Sequence, residues 1–148
     1  MLYRCDLSKE PRHLSVGVST FNYKLPYANI FGGITQLTKE KFEFVNGYSN
    51  QYWGWGGEDD DMFRRVIKYG HFNLTRPDPK LARFKMITHL HETGNKPNPN
   101  RFGLLKTWLE RRENDGYGNL KYKVKRKIQQ GIFEKVIVDI GNDPRKRG

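Results

Sequence analysis

One stretch constrains this chain more than any other. Trp53-Gly54-Trp55-Gly56-Gly57 runs directly into Glu58-Asp59-Asp60-Asp61. Glycine lets a backbone approach a ligand closely, and the aromatic–glycine mixture from residue 47 to 57 reads as a shaped loop. The acids then open the strongest helix signal in the sequence. Arg64, Arg65 and Lys68 follow them and Gly70 comes next, so acids at the start and bases at the end complement the helix dipole. Met62, Phe63, Val66 and Ile67 form one apolar stripe, which predicts a helix over 58–69.

Dipole compensation accounts for one or two of the acids. Four in succession repel one another and are costly unless something uses them. Tryptophan faces stack on the apolar side of sugar rings, and carboxylates accept hydrogen bonds from sugar hydroxyls. A carboxylate beside a bound hydroxyl can also act as a general base. On residue chemistry alone, 53–61 reads as a carbohydrate site.

The remainder of the chain alternates helix and strand signals, which places it in the α/β class. His13–Ser19 reads as a strand and 25–33 as a loop punctuated by Pro and Gly. Thr38 can cap a helix over Lys39–Asn46, stopped by Gly47. Strands are expected at Phe72–Thr75 and Arg83–His89, a mobile loop at 91–100, and a helix over Arg101–Arg112. Tyr122–Gln129 and Phe133–Ile140 suggest a terminal hairpin around Gln130-Gly131. The 148 residues carry 27 Lys plus Arg against 16 Asp plus Glu, a net charge of +11. Mean hydropathy is −0.84, and no apolar run reaches the ~18 residues that span a membrane. Charges at Arg4, Asp6, Lys9, Glu10 and Arg12 argue against a signal peptide in the sequence as written.

Three weaker signals remain. Met86-Ile87-Thr88-His89 and His91 carry metal-ligand side chains, yet on an extended strand Met86 and His89 fall on opposite faces. A metal gripping both needs a bend, and spacing alone favours a structural histidine. Asn73-Leu74-Thr75 is a glycosylation sequon, and the lone Cys5 permits no internal disulfide; both lean toward a secretory protein. Alternation would place Lys121, Lys123, Lys125 and Lys127 on one strand face. No aromatic stripe accompanies them, so nucleic-acid binding is the weakest reading.

The strings FGGITQLTKEKF (31–42), NGYSNQYWGWGGEDDDMFRR (46–65) and MITH (86–89) together resemble the β-1,4-galactosyltransferase family. PRHLSV (11–16), LPY (25–27), NPNRF (98–102) and VDIG (138–141) extend the likeness over nearly the whole chain, in order. The resemblance implies the C-terminal portion of a GT-A-like fold: a mixed sheet with flanking helices and a long mobile loop over 87–107. It implies one catalytic region, 1–148, without the donor-binding half, its DxD motif or the membrane anchor. It also implies a counterpart of Cys5 that pairs with an upstream cysteine, and a Golgi-lumen setting.

The same resemblance implies an inverting, Mn²⁺-dependent transfer of GalNAc or Gal from a UDP-sugar to the 4-hydroxyl of terminal GlcNAc. Asp59 becomes the catalytic base. Asp60, Tyr27, Arg101, Phe102 and Leu105 become acceptor-binding residues; Ile30, Gly33, Trp55 and Glu58 face the donor; Met86 and His89 become metal ligands. Ile30 stands where galactose-transferring members carry tyrosine, which leaves room for an acetamide and favours UDP-GalNAc. Without its upstream half the chain is expected to transfer little sugar. The alternative is an inactive remnant that only binds carbohydrate.

Overall fold

The computed structural model describes residues 9–87 and 95–143. These separate into two compact units, one ending at Gly118 and the other starting at Asn119.

Among its described residues the first unit contains four short β-strands and four α-helices that hold long loops in place. β1 (Arg12–His13) pairs antiparallel with β3 (Thr35–Gln36), and β2 (Gly17–Val18) pairs parallel with β4 (Arg83–Phe84). The pairing is mixed, as expected, but it forms two-residue ladders rather than one broad sheet. The strand expected at 13–19 is therefore split: Val16 folds back so that its amide bonds Leu14 O, and a 3₁₀ turn starts at Ser19. Phe72–Thr75 contributes only a bridge from Thr75 to Arg12, and the strand expected over 83–89 stops at Phe84. Local residue composition favours strands here, but each described segment lacks the neighbour that would extend its ladder.

α1 (Lys39–Phe44) starts where Thr38 predicts, with the Thr38 hydroxyl accepting from the Lys41 amide at 3.3 Å. α2 (Glu58–Phe63) continues without a break into a π-helical segment, Arg64–Tyr69. The wider winding closes with the Gly70 amide on Arg65 O at 2.9 Å. Met62 and Val66 are fully buried with Phe31 and Val45, while Phe63 and Ile67 pack against them. The predicted apolar stripe is thus the core of the unit. The helix expected over 101–112 is interrupted at Thr107, giving α3 (Arg101–Lys106) and α4 (Trp108–Arg111).

The second unit is the expected hairpin: β5 (Lys123–Gln130) pairs antiparallel with β6 (Phe133–Asp139). A bulge between Val124 and Arg126 interrupts the lysine alternation. Lys125 and Lys127 pair with Asp139 and Glu134, at 3.0 and 3.8 Å. The lysine row is a solvated, partly paired face.

Candidate active site

The glycine-rich loop delivers the acids to two different environments. Gly57 precedes α2 at φ +97°, a left-handed conformation that disfavours side chains with a Cβ. The turn aims Glu58, Asp59 and Asp60 toward a cavity of about 680 Å³. Asp61 points the other way and is fully buried. It accepts from Arg65 Nε at 2.6 Å, Arg111 at 3.0 Å and the Tyr52 hydroxyl at 2.9 Å. Arg65 and Arg111 also reach Asp115, whose second oxygen accepts from the Asn50 amide at 2.7 Å. One of the four acids therefore holds the protein together, and three face the cavity. Sequence reasoning missed this division, although the four-residue spacing of Asp61 and Arg65 is a helix ion-pair signal.

Ten of the twelve residues to which the resemblance assigns roles line this one cavity. Tyr27, Ile30 and Gly33 come from the 25–33 loop; Trp55 from the glycine loop; Glu58, Asp59 and Asp60 from α2; Arg101, Phe102 and Leu105 from α3. The Tyr27 hydroxyl donates to Asp60 Oδ1 at 3.2 Å. The Arg101 guanidinium lies over the Phe102 ring, 4.5 Å from its centroid. Trp55 is fixed through its backbone: its amide donates to Lys96 O at 3.0 Å, and its carbonyl accepts from Asn98 N at 2.9 Å. Its indole stays exposed, as a stacking platform requires.

α3 is held from its C-terminal end. The Leu104 carbonyl accepts from Arg111 at 2.9 Å, and the Leu105 carbonyl accepts from Arg64. Cations there satisfy orphan carbonyls and complement the helix dipole.

Electrostatics raise the proton affinity of both cavity aspartates. Burial, followed by the neighbouring Glu58 charge, raises the Asp59 pKa above the usual aspartate range. Asp60 is raised by burial and by Asp59, against opposing contributions from Tyr27 and Arg64. Tyr27 is also pushed up, by burial and then by Asp59 and Asp60, so its hydroxyl stays a donor. A carboxylate in a half-buried, like-charged setting has a raised proton affinity, which suits a general base.

Met86 does not line the cavity. Its amide donates to Ser19 Oγ at 3.0 Å, and its sulfur accepts from Thr20 Oγ1 at 3.6 Å. His89 lies outside the described residues. Among the described residues no group of three His, Cys, Asp or Glu side chains could hold a metal ion. One thioether does not hold a hard ion such as Mn²⁺. Of the two Mn²⁺ ligands the resemblance implies, only Met86 lies among the described residues.

The family model described as the N-terminal domain of galactosyltransferase matches residues 12–90. Human β-1,4-galactosyltransferase 2 is 41% identical over 143 residues, covering 97% of this chain and 38% of the human protein. Mouse β-1,4-galactosyltransferase 1 is 41% identical over 139 residues, covering 94% of this chain and 34% of the mouse protein. The catalytic domain of Drosophila β-1,4-galactosyltransferase 7, in complex with xylobiose, superposes with a TM-score of 0.73 at 28% identity. That match covers 98% of this chain and 63% of the Drosophila chain. An aspartate-to-asparagine mutant of the Drosophila enzyme, in complex with manganese, UDP-Gal and xylobiose, superposes with a TM-score of 0.70 at 28% identity.

The fold is therefore that of part of a GT-A-type glycosyltransferase catalytic domain. The chain belongs to the β-1,4-galactosyltransferase family, glycosyltransferase family 7. It spans 38% of the human relative's length. Among the described residues no helix is long and apolar enough to cross a membrane.

Proposed function

We propose that this chain forms the acceptor-side half of an inverting β-1,4-glycosyltransferase of the Golgi lumen, with a UDP-sugar as donor. The observation that carries the reading is the convergence of Asp59, Asp60, Tyr27, Trp55, Arg101 and Phe102 on one cavity of about 680 Å³. Asp59 takes the proton of the acceptor 4-hydroxyl as that oxygen attacks the anomeric carbon of the donor. The new carbon–oxygen bond forms on the face opposite UDP, and the bond to UDP breaks, so an α-linked donor gives a β-linked product. Asp60, held by the Tyr27 hydroxyl, accepts from acceptor hydroxyls. Trp55 offers a ring face to the sugars, and Glu58 supports the donor sugar. Arg101, Phe102 and Leu105 supply a cation and apolar surface for the carbonyl and methyl of an N-acetyl group.

The donor is UDP-GalNAc or UDP-Gal. Ile30 presents no hydroxyl to the cavity, which favours the acetamido sugar. The acceptor is a terminal GlcNAc on a glycoprotein or glycolipid. Mn²⁺ belongs to the reading because the Drosophila relative is complexed with manganese and UDP-Gal; Met86 and His89 are its proposed ligands.

The deciding experiment supplies UDP-GalNAc or UDP-Gal, GlcNAc and Mn²⁺ to two proteins. One is this chain alone; the other is this chain completed with the N-terminal part of human β-1,4-galactosyltransferase 2. The completed protein is expected to form a β-1,4-linked disaccharide, and the chain alone little or none. A folded completed protein that makes no such product refutes the proposal.

A further inference from the structure

The cavity wall opposite α2 is held by residues with no place in the chemistry above. Gly32 approaches Asp59 so closely that a Cβ there would sit 2.7 Å from Oδ2. The wall thus bounds Asp59, and something must hold it in place. One arginine and one buried histidine do so. Arg76 donates through one amino group to the carbonyls of Ala28 and Ile30, at 2.8 and 2.9 Å. Its Nε–H donates to His13 Nδ1 at 3.2 Å. Nδ1 is then the acceptor nitrogen, so the proton of the neutral ring sits on Nε2. Nε2 lies 2.9 Å from the Gly32 carbonyl and donates to it. Ser15 Oγ reaches the same carbonyl at 3.0 Å and accepts from the Ile34 amide at 2.9 Å.

We infer that Arg76 and His13 are positioning residues that clamp the backbone of 28–32 against Asp59 and so set the closeness of the sugar pocket. This rests on the reading of Asp59 as the base and extends it to residues that touch no sugar. The histidine is suited to the task only when neutral. Arg76 faces its Nδ1, Ser15 and the Gly32 carbonyl face Nε2, and the Phe31 ring lies 6.2 Å away, so no carboxylate among these contacts favours the charged ring. Burial and then Arg76 lower its pKa, while the Gly32 carbonyl opposes them.

The test follows the Asp59 carboxyl by ¹³C NMR titration in this chain. It needs no turnover, so it separates the clamp from the transferase reading. Wild type is expected to titrate above the ordinary aspartate range. Arg76→Gln releases the Ala28 and Ile30 carbonyls, water reaches Asp59, and its midpoint falls by about one pH unit. His13→Leu lowers it likewise, whereas His13→Gln, which keeps an amide donor for Gly32, stays near wild type. Circular dichroism checks that each variant is folded. Should Arg76→Gln not fold, Arg76→Lys decides by the same reading, because it keeps the charge and loses the planar fork. An unmoved Asp59 midpoint in folded Arg76 and His13→Leu variants overturns the clamp. Loss of product from the completed enzyme, with the Asp59 shifts intact, overturns the transferase reading alone.

Discussion

Asp59 sits between two demands. A base must be ionised when the acceptor arrives, yet burial and the Glu58 charge both favour its protonated form. The sign follows directly. A raised carboxyl pKa moves the acid limb of kcat/KM to higher pH than a free aspartate near ~3.9 would give. Removing the neighbouring charge in Glu58→Gln should move that limb back toward lower pH. A pH–rate profile of the completed enzyme checks this, and an unmoved limb would leave Asp59 without the base role. Asp59→Asn keeps the shape and removes the basic oxygen, so turnover should fall by about 10²–10⁴-fold. UDP-sugar binding, measured by calorimetry, should persist. Donor choice is argued at Ile30. Ile30→Tyr adds a ring hydroxyl at the cavity wall and should tilt use toward UDP-Gal by about tenfold, within the few kcal/mol one pocket contact can supply. Competition assays with the two donors read that ratio directly, and an unchanged ratio leaves Ile30 as ordinary apolar wall.

At the scale of the element, α2 and its π-helical continuation serve the core and the cavity at once. Met62 and Val66 bury one face, Asp59 and Asp60 line the cavity, and Asp61 is locked between Arg65 and Arg111. A buried carboxylate with two guanidinium partners tolerates poorly the loss of its charge, because the cations remain without compensation. Asp61→Asn should therefore destabilise the protein by about 3 kcal/mol, while Glu58→Gln should change stability little. Urea unfolding of both variants reads the contrast, and an unaffected Asp61→Asn would remove the network from its structural role. The start and apolar stripe of this helix were readable in the sequence because charge order and period depend on local chemistry. Thr38 as a cap was readable for the same reason. The Arg111 and Asp115 side of the Asp61 network and the Arg76–His13 clamp were not, since each depends on groups brought together from distant positions. The short strands misled for a related cause: local composition favours a strand but does not supply a neighbour to pair with.

At the scale of the molecule, the two units are built on different physics, and this yields the broadest prediction. The unit ending at Gly118 owns the buried cluster of Phe31, Val45, Met62 and Val66, the Asp61 ion network and the whole cavity. Among its described residues the hairpin unit buries none fully: every position of β5 and β6 is exposed except Ile128 and Asp139, which are half-buried. Its lysine–carboxylate pairs are solvent-exposed and screened, so they add little to its stability. A two-stranded hairpin with no packed face is marginally stable in water. Native-state hydrogen exchange on the 148-residue chain should therefore show two tiers. Amides of β5 and β6 should open locally with free energies near zero, while those of Val66 and Gly70, behind the buried helix, should exchange only through larger openings. Added salt, which screens surface pairs, should speed the hairpin tier and leave the core tier in place. Equal protection in both tiers would mean that the hairpin draws its stability from contacts beyond its own cross-strand pairs.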